Sequence, residues 1–327
     1  MVDSHNPPPD FEDRRAGLVI FGSLAILVGL FCLLLVPLTL VAASVSGSEF
    51  GGGVDLRSAW SASMLNLLMA VAFVWLGVGS IRAHRWAAEV LLSLSWIWLL
   101  TGISTLLVGM LVVPALLQES GALAGLPPTA APLVLAVTFG LIGVMFVLLP
   151  AIFVLFYRSP HVTATCRACH PEPGRIDRCP RRILTLTVIW ILTATSVLLM
   201  PAYNLFFPLF GSVLTGSAGG VGWALSLAAC VTLAVGSCKR APWAWWGGLA
   251  LTFVATVSSV LTFLAHDVSE IAALMKLPED QVSMVAALGI PSGWPVAIFS
   301  GVVWGSFFAY LLTLRGYFIQ PPPEPNG

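Results

Sequence analysis

Between Arg158 and Arg182 the chain carries its one concentration of coordinating side chains: His161, Cys166, Cys169, His170 and Cys179. Three thiolates and an imidazole are the donor set of a structural zinc ion, which takes cysteine sulfur and histidine nitrogen in a tetrahedral array. His170 directly follows Cys169, an awkward pair for one tetrahedral ion, so the zinc reading takes Cys166, Cys169, Cys179 and His161 as ligands. The second Cys-x-x-Cys of a zinc ribbon is missing, and the competing reading is a set of reduced cytosolic thiols. Cys166 to His170 also spells C-x-x-C-H, the form of covalent c-type haem attachment. That attachment happens on the outer face of a bacterial membrane. Arg158, Arg167, Arg175, Arg178, Arg181 and Arg182 hold this loop on the inner one. No cofactor is expected, with zinc the one candidate.

A second group of residues is polar but uncharged. Thr252, Thr256, Ser259 and His266 share a face of one apolar stretch, and Ser104 and Thr105, with Ser93 and Thr101, lie on another. Such hydroxyls either bond helix to helix or line a path for a polar solute. Intramembrane charges mark proton relays and ion paths, and no Asp, Lys, Arg or His falls near the middle of any apolar stretch. A proton-coupled carrier, a membrane hydrolase and a haem-binding histidine pair are therefore not expected, and no catalytic residues can be named.

The elements that must position these residues follow from composition. Of 327 residues, 58% are hydrophobic and 9% charged, with a mean hydropathy of +0.94; soluble domains carry about 25% charged residues. This excludes a soluble or disordered chain and a nucleic-acid binder, and leaves an integral membrane protein. Crossing the hydrocarbon core takes about 20 apolar residues. Stretches 17–39, 60–81, 87–113, 133–156, 183–206, 221–238, 243–265 and 294–314 qualify. Long continuous runs exclude the short alternating strands of a barrel. The first run exceeds a signal-peptide core and is read as a retained span. Trp60, Trp223 and Trp294 begin spans at one interface, and Trp86, Trp243, Trp245 and Trp246 at the other. Trp75, Trp96, Trp98, Trp190 and Trp304 lie deeper and are expected to pack between helices.

Eight spans put Arg14, Arg15, Arg82, Arg85, Lys239, Arg240, Arg315 and the six arginines of the 158–182 loop on one side, and only Arg57 and Lys276 on the other. The positive-inside rule then makes both termini cytoplasmic in a bacterial inner membrane. The outer segment 267–293 should hold interfacial helices at Ser269–Lys276 and Glu279–Leu288.

The chain also repeats itself. Leu68, Ala72, Val74, Leu76, Val78, Gly79, Ser80, Trp86 and Ala87 recur at Leu225, Ala229, Val231, Leu233, Val235, Gly236, Ser237, Trp243 and Ala244, a shift of 157. A shift of 164 pairs Pro37 with Pro201, and both are expected to kink or end their spans. Copies with an even number of spans share one orientation, so the halves form a parallel repeat.

At His161-Val162, Ala164-Thr165-Cys166 and Asp177-Arg178-Cys179-Pro180 the loop resembles that of a group of bacterial multi-span membrane proteins with no established activity. The resemblance implies a multi-span topology and a cytoplasmic motif, and no substrate. That group's pattern has no cysteine at the place of Cys169, which weakens both the haem and the zinc readings.

The fold expected is an all-α polytopic membrane bundle of about eight transmembrane helices in two parallel four-helix repeats. It comprises a disordered cytoplasmic tail 1–16, a first repeat 17–157, the loop 158–182, a second repeat 183–314 and a cytoplasmic tail 315–327. The function expected is non-catalytic binding of membrane lipids or other membrane subunits. The alternative is a transporter or channel for a neutral or amphiphilic solute, using the cleft between the repeats.

Overall fold

The computed structural model describes residues 12–49, 56–119, 130–171, 179–277, 282 and 293–319. Residues 1–11 and 320–327 of the expected tails, the Asp177-Arg178 part of the loop and the expected outer helix 279–288 apart from residue 282 lie outside the described residues, while Arg315–Ile319 of the expected C-terminal tail is helical. Seven helices among those described are long and apolar enough to cross a membrane. The chain is an all-α, multi-pass membrane protein.

Helices α1 (Arg15–Glu49), α2 (Leu56–Ile81) and α3 (Arg85–Glu119) are followed by α4 (Ala130–Gly143), a π-helical turn (Val144–Leu148) and α5 (Leu149–Tyr157), which together make the fourth span. A short helix α6 (Pro160–Cys169) lies in the loop. Then come α7 (Arg181–Val197), strands β1 (Phe207–Leu209) and β2 (Ser212–Leu214), α8 (Gly216–Cys238), α9 (Pro242–Ala265), α10 (Val268–Leu274), α11 (Trp294–Thr313) and α12 (Arg315–Ile319). At 1.5 Å per residue the 35 residues of α1 or α3 extend about 52 Å, well beyond a hydrocarbon core of about 30 Å.

Two expectations are corrected. Pro37 does not end α1, which runs on to Glu49; neighbouring groups can compensate a proline within a membrane helix. The fifth stretch, 183–206, does not stay helical: α7 stops at Val197, and Met200–Tyr203 forms a 3₁₀ turn around Pro201. An antiparallel hairpin follows, in which Leu209 faces Ser212 and Phe207 faces Leu214. Its two loop residues, Phe210 and Gly211, both have positive φ (47° and 83°), as a type I′ turn demands. Although it has only 17 residues, α7 runs antiparallel along α8. The Thr187 hydroxyl meets the Cys238 thiol (3.4 Å) at one end, and the Trp223 indole N–H donates to the Val197 carbonyl (2.7 Å) at the other.

The chain divides into two compact units, 1–36 with 66–178 and 37–65 with 179–327. In the first, Leu18, Leu76, Leu91, Phe153, Tyr157, Val162 and Cys166 form the buried core. The Ser80 hydroxyl bonds the Tyr157 hydroxyl (2.7 Å) and donates to the Leu18 carbonyl (3.1 Å), tying α2 to α5 and α1. At the π turn, Pro150 offers no N–H to the Phe146 carbonyl four residues back, and Gly102 of α3 lies so close to that carbonyl that a Cβ would collide with it. In the second unit, Ile183, Leu186, Trp190, Leu233, Trp245, Leu249, Leu311 and Leu314 form the core, and Trp245 donates its indole N–H to Leu311 (2.9 Å). Outward faces are apolar, as lipid requires: Val71, Leu141, Leu155 and Leu225 are all exposed. Of the deep tryptophans, Trp190 is buried as expected, while Trp75 and Trp96 stand exposed on the surface.

The turns α2–α3 and α8–α9 share one backbone geometry at the shift of 157. Ala83 and Arg240 have φ of 54° and 51°. His84 N donates to Gly79 O (2.9 Å), and Ala241 N to Gly236 O (3.0 Å). A Cβ on Gly79 would sit 2.7 Å from the Ala87 Cβ and 3.0 Å from the Trp86 ring; one on Gly236 would sit 2.8 Å from the Ala244 Cβ and 2.5 Å from the Trp243 ring. Gly79→Ala and Gly236→Ala are each expected to destabilise by about 1–3 kcal/mol, as overpacking does. Gly305→Ala, where a Cβ would meet nothing within 4 Å, should not destabilise. Thermal unfolding of the three variants in detergent reads this directly; indifference to both turn substitutions would contradict the close contact.

Candidate functional site

The coordinating residues of the loop sit on α6, and the helix separates them. Its one-sided pattern buries Val162, Ala164, Thr165 and Cys166 and leaves Arg167 and Cys169 exposed. Pro160 starts the helix at a position that needs no N–H. Val162 and Cys166 belong to the core of the first unit. Thr165 donates its hydroxyl to the His161 carbonyl (2.9 Å) and accepts the Arg14 N–H (3.0 Å), while the His161 Nδ1 accepts the Glu12 N–H (3.3 Å). Two N–H groups at the approach to α1, which have no intrahelical partner, are thus satisfied by α6.

The far end of α6 is fastened to the α2–α3 turn. His170 Nε2 lies 2.8 Å from the Arg82 carbonyl, and its ring stacks on that of His84 with centroids 4.4 Å apart. Arg85 donates from one terminal nitrogen to the carbonyls of Pro171 (3.1 Å) and Arg167 (3.4 Å). Helix α6 with His170 therefore works as a latch that joins the approach to α1 to the α2–α3 turn and packs against α3 and α5. Among the described residues no group of three or more His, Cys, Asp or Glu side chains is gathered to hold a metal ion. Of the zinc candidates, Cys166 is interior, Cys169 exposed, His161 half-buried at the N-terminal segment, and Cys179 half-buried in the second unit.

The uncharged polar candidates fall in both units. Ser104 and Thr105 are exposed on α3, and Ser104 donates to its own helix at Leu100 (3.0 Å). On α9, Thr256 donates to the Thr252 carbonyl (2.7 Å), and Ser259 meets Ser300 of α11 (2.7 Å). His266 Nε2 lies 3.2 Å from the Gly211 carbonyl, and its Nδ1 lies 3.1 Å from Glu270. Thr252 is buried, and its hydroxyl has no partner among the described residues.

Sequence reasoning missed Ser258, which is buried and accepts the Phe210 N–H (3.0 Å) while donating to Pro208 (2.8 Å). With His266 it clasps the hairpin to α9. Asn204 adds a bond from its side-chain amide to the Leu274 carbonyl (3.1 Å), joining the hairpin's base to α10. The signal was Phe210-Gly211, a hairpin turn disguised by an aromatic residue at a position that favours Asn or Gly.

No protein-family model, curated protein or solved structure matches the chain.

Cys166→Ser should lower the unfolding temperature in detergent by the equivalent of about 1 kcal/mol, because it puts a smaller, more polar atom into the apolar core that Cys166 shares with Leu18, Leu91 and Val162. Cys169→Ser, at an exposed site, should stay within about 0.5 kcal/mol of the parent. Equal losses for the two, together with stoichiometric zinc by mass spectrometry, would restore the metal reading.

Proposed function

We propose that this protein is a non-catalytic component of the bacterial inner membrane that binds membrane lipids or partner subunits. In this reading two parallel four-helix repeats, 17–157 and 183–314, carry eight spans, and both termini and the 158–182 loop face the cytoplasm. The matched turns around Gly79 and Gly236 support the repeat, and the antiparallel run of α7 along α8 supports an eighth pass. The arginine and lysine distribution supports the orientation.

The observation that carries the proposal is where the polar side chains bond. Ser104 and Thr256 bond within their own helices, Ser259 bonds the neighbouring α11, and His266 holds the hairpin. A solute path needs polar groups turned toward a passage and free to exchange partners; these four are committed to the scaffold, and the Thr252 hydroxyl on the same face of α9 is buried without a partner among the described residues. The role requires no cofactor.

The test is to extract the protein into native nanodiscs with its surrounding lipid and to analyse what copurifies. A lipid class enriched severalfold over the bulk membrane, or a stoichiometric second subunit, is the expected result. Bulk lipid composition with no partner, joined to specific solute flux through the protein in proteoliposomes, would overturn it.

A further inference from the structure

We infer that the first unit carries a site for one anionic phospholipid, with an acyl chain lying between α1 and α2 and its phosphate at Arg82; this rests on the lipid-binding reading above and names the lipid class and its place. A groove of about 440 Å³ is lined by Gly29 and Leu33 of α1 and by Leu67, Ala70, Val71, Val74, Trp75 and Val78 of α2, all apolar. Small residues make it. A Cβ on Gly29 would come within 3.0 Å of the Ala70 carbonyl, so the two backbones approach closely and the surface above them is hollow.

Length, position and charge point to the occupant. From Leu67 to Val78 the groove follows 11 residues of helix, about 16 Å, which is about half of a hydrocarbon core roughly 30 Å thick. It therefore fits the chain of a lipid in one leaflet. One end lies within a turn of the end of α2 at Ile81. Trp75 stands exposed at that end and packs on Trp86 (ring centroids 4.4 Å), a pair suited to the interfacial region.

Arg82 follows Val78 by one helical turn, and its N–H still donates to the Val78 carbonyl (3.1 Å), which keeps it on the groove's face. It is exposed, and among the described residues no carboxylate pairs with its guanidinium. The His170 ring on its carbonyl and the Arg85 bonds to Pro171 and Arg167 fix the turn that presents it. An arginine so placed binds phosphate in a forked geometry. The second unit supplies an internal contrast: Lys239 takes the place of Arg82, but Thr232 stands where Trp75 would.

The full-length protein would be placed in phosphatidylcholine nanodiscs doped with phosphatidylglycerol carrying a diazirine in its acyl chain, or with the equally labelled phosphatidylcholine. Photocrosslinks would be mapped by peptide mass spectrometry. The phosphatidylglycerol probe should label 67–78 about fivefold more than the phosphatidylcholine probe, the factor one surface cation provides. Arg82→Gln should remove that preference, while Lys239→Gln should leave it. Val71→Trp, which fills the groove, should abolish labelling by both probes. Equal labelling by the two headgroups, or a preference indifferent to Arg82→Gln, would overturn the site. If native nanodiscs nonetheless retain an enriched lipid or a partner, the site fails and the broader binding role stands.

Discussion

Hydrocarbon accepts no hydrogen bond, and this structure is organised around that fact. A polar group inside the bilayer gains from a partner within the protein, and many hydroxyls of this chain find one locally. Ser93, Ser95, Thr187, Thr193 and Thr262 each donate to the carbonyl four residues earlier, sharing an acceptor that the helix already uses. Where a hydroxyl reaches another element it fixes geometry, as Ser80 does for three helices and Ser258 does for the hairpin. These hydroxyls hold elements together, and the same solvent leaves the outward faces to leucine and valine.

Close backbone contact does the rest. Helices in lipid gain little from burying apolar surface and associate by packing. Gly79 and Gly236 let the following tryptophan and alanine return against the helix just ended. The two matched turns then differ in one instructive place. Ser80 finds the Tyr157 hydroxyl, whereas the residue one shift of 157 onward from Tyr157 is Leu314, fully buried and without a hydroxyl. Ser237, the counterpart of Ser80, is accordingly buried with no partner among the described residues. The first unit is thus the more fully bonded of the two at this end, and it carries the latch helix α6 and an apolar groove.

Much of this was legible in the sequence because apolar length is a strong signal. The limits of most spans fall within a few residues of the helices, and the shift of 157 led straight to the matched turns. What escaped was decided by tertiary contact. Nothing local distinguishes Pro37, which α1 tolerates, from Pro201, where the helix has already stopped. The hairpin at 207–214 is only three residues deep on each side and is held by Ser258 and His266, residues read at first as part of a polar face or not singled out at all. In the loop, the spacing of Cys166 and Cys169 suggested coordination, but on a helix that spacing also divides a buried face from an exposed one. Val162 and Thr165 declare the burial only once α1 is in place.

The central claim is that the polar face of α9 belongs to the scaffold and is closed to water, and its most direct test is accessibility. Thr252, Thr256 and Ser259 would be replaced singly by cysteine in an otherwise cysteine-free protein, and each would be exposed in membranes to a small water-soluble thiosulfonate from either side. The account predicts that none reacts until the protein is denatured. Modification of two or three of them from one side of the membrane would reveal an aqueous path along α9 and contradict it.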